Sequence, residues 1–184
     1  MAGEIQQYHN CKTVIMGEVN SGKTTLTTSI LGDFIQAGFA AQIAVLDLSP
    51  EPVKGIGGKL EVHLSPSVLY LTTPIVAPRM MGKNEEHSRQ LARNNAKQIE
   101  QMFKEYLKQP RELLFINDAT LYLQAGRLER FLELLGSAST AVVNIYYGTT
   151  FADSELTQRE RMLSDQLIEI CDQIITCSPT PDIS

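Results

Sequence analysis

Six short apolar runs, separated by longer segments of a different period, constrain the fold of this sequence more than any other feature. The runs lie near residues 12–17, 42–48, 68–73, 112–117, 140–146 and 173–177. They are nearly continuous in apolar residues rather than alternating, as strands covered on both faces read. The segments between them, near 23–37, 84–108, 124–136 and 153–171, carry helical spacing. In 84–108, Leu91, Asn95, Ile99, Met102, Phe103 and Tyr106 recur at steps of three and four. Leu156, Leu163, Leu167 and Ile170 do so in the last. Asp153 or Ser154 suits the N-cap of that helix, and Gly38 and Gly136 stand where helices should end. Alternation of this kind predicts a three-layer α/β/α sandwich on a mainly parallel sheet of about six strands. With 184 residues and no repeat or linker, residues 1–184 read as one domain. The Pro- and Gly-rich stretch 49–67 reads as a loop, or a loop with one short strand at 61–64.

Between the first apolar run and the first helix lies Gly17-Glu18-Val19-Asn20-Ser21-Gly22-Lys23-Thr24, which spells G-x-x-x-x-G-K-T. The spacing has a chemical reason. The glycines permit a tight turn in which successive N–H groups, from Glu18 through Thr25, point inward at an anion. Lys23 adds positive charge over the β and γ phosphates, and the Thr24 hydroxyl suits Mg²⁺. The following helix contributes the positive end of its dipole. The expected ligand is therefore a nucleoside triphosphate with Mg²⁺.

Phosphoryl chemistry also needs acids. Asp47 closes the second apolar run and Asp118 follows the fourth, at the strand ends where ligands bind in open α/β sheets. Asp118 follows Leu114-Phe115-Ile116-Asn117 and is expected to hold Mg²⁺ with Thr24. Asp47 is expected to act as the base, as a second metal-orienting acid, or on the substrate side. Either could instead cap a turn. Glu51 is a weaker third acid. Residues 52–60 hold three glycines and two lysines and form either a mobile solvated loop or a positive flap over phosphates. Arg159 and Arg161 could compensate phosphoryl charge, or lie on a solvated helix face with Glu155 and Arg159 paired. Arg79 follows the third strand at the same sheet edge. Asn144 could read a base, but N-K-x-D is absent, which favours ATP over GTP. Tyr146 and Tyr147 read as packing residues, and His9, His63 and His87 lack metal-ligand spacing.

The net charge of −5 gives no support for a broad nucleic-acid footprint. No apolar run is long enough to span a membrane, and the first residues lack the apolar stretch of a signal peptide. Cys11, Cys171 and Cys177 read as reduced thiols, so a cytoplasmic setting is expected. The partners expected are the nucleotide and either another protein or a second copy of the chain.

On the strength of Gly17–Thr24, the chain resembles the P-loop NTPase superfamily. A finer resemblance covers about 130 residues. It takes in the octapeptide, Asp47 with its Gly-rich loop, the strand running into Thr72-Thr73-Pro74, the long helix, and Phe115-Ile116-Asn117-Asp118 running on to Gly126. This order is similar to the P-loop domain of the polynucleotide 5′-kinase family. The resemblance implies that Asp47 stands at the phosphoryl-transfer centre. The following segment, Asp47-Leu48-Ser49-Pro50-Glu51-Pro52, departs from that family's D-x-D-x-G-Q. Three functions are compatible with the sequence. One is a Mg-dependent NTPase with Lys23, Asp47 and Asp118 as its catalytic residues. Another is a small kinase using loop 47–59 as acceptor site. The last is a nucleotide-binding regulatory module with little turnover.

Overall fold

The structure is a computed structural model and describes residues 5–60 and 65–178. Six strands form one parallel sheet: β1 (Lys12–Gly17), β2 (Ile43–Asp47), β3 (Leu69–Thr72), β4 (Leu113–Asn117), β5 (Thr140–Tyr146) and β6 (Gln173–Cys177). Their spatial order is β3-β2-β4-β5-β1-β6. The helices are α1 (Lys23–Gln36), α2 (Pro78–Met81), α3 (Glu85–Tyr106), α4 (Thr120–Leu123), α5 (Leu128–Gly136) and α6 (Glu155–Ile170). The expected three-layer α/β/α architecture and its six strands are present. The short strand expected at 61–64 lies outside the described residues.

Side-chain alternation along each central strand splits the core into two faces. Ile15, Val45, Phe115 and Val142 pack with Ile30, Leu31 and Phe34 of α1. Val14, Leu46, Leu114, Ile116 and Val143 pack with Ile99 and Phe103 of α3, Phe131 of α5 and Leu167 of α6. Phe34 is fully buried and meets Phe115 edge-on at 5.9 Å. Its truncation to Ala would cost about 3–5 kcal/mol.

Several elements differ from the sequence expectation. The outer strands β3 and β6 are not covered on both faces. Residues of β3 are only partly buried or exposed, and in β6 they alternate between partly buried and exposed. Each has one neighbouring strand, and Ile174 in β6 is half exposed. The helix expected over 124–136 begins at 128, after a separate turn of helix at Thr120–Leu123. The Tyr122 ring causes the break. A Cβ on Gly126 would lie 2.4 Å from that ring, and the Arg127 N–H donates to the Tyr122 hydroxyl at 3.2 Å. Gly136 is the last residue of α5 rather than the residue beyond it, and the Ser137 hydroxyl donates to the Leu134 carbonyl there. Ser154, not Asp153, caps α6, its hydroxyl accepting from the Thr157 N–H at 3.2 Å. The short helix α2 was not expected from the sequence; it opens on Pro78 at a position where proline costs no hydrogen bond.

The register brings the strand ends level. Gly17 pairs with Tyr146 and Cys177, and Asp47 with Thr72 and Asn117. In a parallel sheet all C-terminal ends share one edge, so the octapeptide and both candidate acids meet there.

Candidate functional site

The octapeptide turns as its glycines allow. Gly22 sits in the left-handed region with φ 84 and caps α1. A Cβ on Gly17 would lie 2.3 Å from the Cys177 carbonyl oxygen, so the end of β1 passes β6 with no room for a side chain. The Lys23 ammonium curls back to the Glu18 carbonyl and the Ser21 hydroxyl. Burial pulls its pKa down, and the nearby charge of Asp118 pulls it partly back up. Glu18 is tied to a second segment. Its carboxylate accepts from the N–H groups of Val19 at 2.9 Å and Thr149 at 2.7 Å. Burial alone would raise its pKa, but these donors hold it at about 2.

A cavity of about 680 Å³ opens beside this turn, within the range of ligand sites. Residues 19–25 line one wall, and the other lining residues include Asp118, Arg79, Gln124, Tyr146, Phe151 and the loop carrying Pro50, Ile56 and Lys59. Among the described residues, Asp118 brings the one carboxylate that lines it. Its backbone has φ 55, an uncommon conformation for a residue with a side chain. The Asn144 side chain steadies that turn. Its carbonyl accepts from the Asp118 N–H at 2.7 Å, and its amide donates to Asn117 and to Thr27 of α1. The amide of Asn144, at the border of the cavity, is thus engaged by Asn117 and Thr27. One oxygen of Asp118 accepts from the Thr120 hydroxyl at 2.6 Å. Burial raises its pKa, while Thr120 and Lys23 oppose the rise.

Asp47 is placed differently. It is fully buried and is not among the residues lining the cavity. Its carboxylate accepts from the Leu60 N–H (2.7 Å), the Tyr70 hydroxyl (2.7 Å), the Asn117 amide (2.8 Å) and the Ser49 N–H (3.2 Å). Burial, and then this bond, raise the pKa of Tyr70. The loop after β2 is therefore anchored rather than loose. Lys59 donates to the Ser49 carbonyl at 2.6 Å, and Val53 and Ile56 exchange two backbone hydrogen bonds around a tight turn. Glu51 is exposed at the surface of this loop.

The structure brings together the octapeptide, Lys23, Thr24, Asp118, Arg79 and Lys59, and it leaves Asp47 behind the wall. Arg159 and Arg161 do not line the cavity. They donate to the carbonyls of Gly126 and Gly148, and Arg161 also stacks on the Tyr147 ring. Glu155 pairs with Arg89. His9 packs against the Phe34 and Phe39 rings, and the Nδ1 of His87 accepts from the Lys83 N–H. His63 lies outside the described residues. The three cysteines are free thiols, and burial raises Cys171 to about 11.

No family model and no curated protein matches this sequence. Among solved structures, it is similar to the flagellar accessory protein FlaH from Methanocaldococcus jannaschii, at 10% identity and a TM-score of 0.48 over 91% of this chain and 71% of that one. It is also similar to the VirB11 ATPase of the Brucella suis type IV secretion system in complex with sulphate, at 14% identity and TM-score 0.48. That match covers 95% of this chain and 46% of VirB11. A prototypical ATPase from the type III secretion system of pathogenic bacteria matches at 16% identity and TM-score 0.48, covering 91% of this chain and 51% of that one. The chain thus spans about half the length of the two secretion ATPases. Likenesses of this degree assign neither substrate nor reaction.

Two buried polar residues beside Arg79 escaped the sequence reading. Glu160 is 3% exposed, and burial raises its pKa to about 7 against the opposing pull of Arg79 and Gln124. It accepts from Arg79 at 3.0 Å and from the Gln124 amide at 2.8 Å. The signal was present: Glu160 falls four residues after Leu156 and three before Leu163, on the buried stripe of α6. A charged residue on such a stripe needs a partner. Gln124, 2% exposed, carried no comparable signal.

Among the described residues, no three His, Cys, Asp or Glu side chains gather as a metal centre. The cavity instead offers the Thr24 hydroxyl and the Asp118 carboxylate. Two oxygen donors suit a hard cation that keeps water and phosphate in its shell, as Mg²⁺ does. No helix among the described residues is long and apolar enough to cross a membrane.

Proposed function

We propose that the chain binds a nucleoside triphosphate with Mg²⁺, ATP in preference to GTP, and hydrolyses it. The observation that carries this reading is the convergence of the octapeptide, Lys23, Thr24 and a lone carboxylate, Asp118, on one cavity at the C-terminal edge of a parallel sheet. The amide groups of residues 18–25 wrap the phosphates, with Gly17 and Gly22 allowing the turn. Lys23 leaves the Glu18 carbonyl and neutralises the β and γ oxygens. Thr24 and Asp118 would hold Mg²⁺, which would draw charge from the γ-phosphoryl oxygens. Asp118 also accepts a hydrogen bond from the attacking water. Asp47 acts from behind, holding the loop 49–60 that walls the cavity. Rate enhancement comes from position and charge rather than from a covalent intermediate.

The kinase reading draws on a separate observation: the cavity continues past the octapeptide to the wall formed by Pro50 and Ile56. Calorimetric titration with ATP and Mg²⁺, beside an assay of phosphate release, tests the main reading. Binding that Lys23→Ala abolishes, with release of free phosphate, supports it. Phosphate transfer to a 5′-hydroxyl oligonucleotide or small alcohol without free release would replace it by the kinase reading. Tight binding with no turnover would replace it by a regulatory module. Absence of binding would refute all of these.

A further inference from the structure

Arg79 lines the cavity from α2, and contacts from separate segments fix it there. Its Nη1 donates to Glu160 Oε1 of α6 at 3.0 Å. Its guanidinium carbon lies 4.1 Å from the centre of the Phe151 ring and 5.1 Å from that of Tyr146. The segment leading into α2 is clamped as well. The buried Asn95 of α3 donates to the Val76 carbonyl at 2.8 Å and accepts from the Val76 N–H at 3.2 Å. The Arg79 side chain is 12% exposed.

A guanidinium carries several N–H donors in a rigid plane. Glu160 accepts from one nitrogen of Arg79, and among the described residues no second acceptor meets it. Glu160 is itself shared with the Gln124 amide, whose own oxygen has no partner there. This is more than an ion pair needs. A stiff cation is held by one edge, and its spare donors remain in a cavity where Lys23 and the octapeptide also present N–H groups. The other cations are engaged elsewhere, since Lys59, Arg159 and Arg161 each donate to a backbone carbonyl. An anion with several oxygens, reaching beyond Lys23, satisfies such a surplus.

We infer that Arg79 contacts the terminal phosphoryl group of the bound triphosphate, with Glu160 and Gln124 as positioning residues that hold its guanidinium toward the cavity. The inference rests on the triphosphate reading above. It makes Arg79 the residue by which this site distinguishes a triphosphate from a diphosphate. The loop of Phe151 links it to the octapeptide, because Glu18 accepts from Thr149 in that same loop.

The test compares ATP and ADP affinities, with Mg²⁺, of the wild type, Lys23→Ala, Arg79→Ala, Arg79→Lys, Glu160→Gln and Glu160→Ala. Arg79→Ala should lose about 10- to 100-fold in ATP affinity and less than about threefold for ADP, as expected for charge-assisted hydrogen bonds to one group. Arg79→Lys should recover part of the loss. Glu160→Gln keeps an oxygen acceptor and should change the ATP/ADP ratio less than Glu160→Ala. Equal losses for both nucleotides, or an unchanged ratio, would overturn the inference. Should Arg79→Ala fail to fold, Arg79→Lys carries the same comparison, since a merely structural arginine would leave the ratio alone. A wild type that binds neither nucleotide sinks the triphosphate reading. A wild type that binds both, loses both in Lys23→Ala and keeps its ratio in the Arg79 variants removes Arg79 alone.

Discussion

At the end of β2, the Asp47 carboxylate is sealed from solvent and accepts hydrogen bonds from Ser49, Leu60, Tyr70 and Asn117. One strand away, the Asp118 carboxylate accepts a single side-chain bond, from Thr120, and lines the cavity. The two acids follow similar apolar runs, yet their surroundings put them to different uses. A carboxylate whose oxygens are filled by donors is a fastener. One left under-filled beside a cation-rich cavity is held at a cost and is available to a ligand. The backbone decides which is which. Asp47 ends its strand in extended conformation and a returning loop closes over it, whereas Asp118 turns through φ 55.

The largest expected effect separates the two acids by turnover. Asp118→Asn should lower ATP hydrolysis by about 100-fold or more. Asn tolerates the left-handed backbone, so the turn survives and only the charge is lost. Asp47→Asn should instead lose about 2–4 kcal/mol of stability, read by denaturant unfolding, because buried N–H and O–H donors lose their acceptor. Hydrolysis by the fraction still folded should fall far less than in Asp118→Asn. If Asp47→Asn stops turnover in a fully folded protein, the comparison is broken.

The opposite sign is expected for the stability of the ligand-free Asp118→Asn protein. Burial raises the pKa of Asp118, so its protonated form favours the fold. That contribution is complete below the unfolded carboxylate value and is lost as pH rises through the folded one. Near neutral pH the Asn variant should therefore be the more stable, and the gap should close on acidification. Glu160, raised to about 7, behaves in the same way. Wild-type stability should fall between about pH 5 and pH 8, and Glu160→Gln should flatten that slope. A rising wild-type curve over this range would contradict both assignments.

The smallest effect is the sharpest. Tyr70→Phe removes one bond to Asp47 and should cost about 1 kcal/mol. It should be non-additive with Asp47→Asn and additive with Asp118→Asn.

Much of this was legible in the sequence. The apolar runs located the strands to within a residue or two, and the octapeptide marked the edge where the cavity opens. Periodicity could not show which way Asp47 points, because its partners Leu60, Tyr70 and Asn117 lie 13, 23 and 70 residues away. Nor did it separate edge from central strands: β6 still carries two isoleucines and a cysteine in five residues, and only pairing order leaves Ile174 half exposed. The break before α5 was hidden because it depends on Tyr122 folding onto Gly126. Glu160 was readable from its place on the stripe of α6.

The strand that carries the octapeptide pairs on one side with residues 141–146 and on the other with residues 173–177. Its N-terminal end is stapled by Asp172, whose carboxylate accepts from the Lys12 N–H across 160 positions. During synthesis, then, the octapeptide emerges before either strand that flanks β1, and it stays without both until residues 141–146 and 173–177 have followed. Closing contacts over such separations is slow. Competence to bind should therefore appear late and all at once, so that a chain stalled before residue 140 would display the motif without possessing the site.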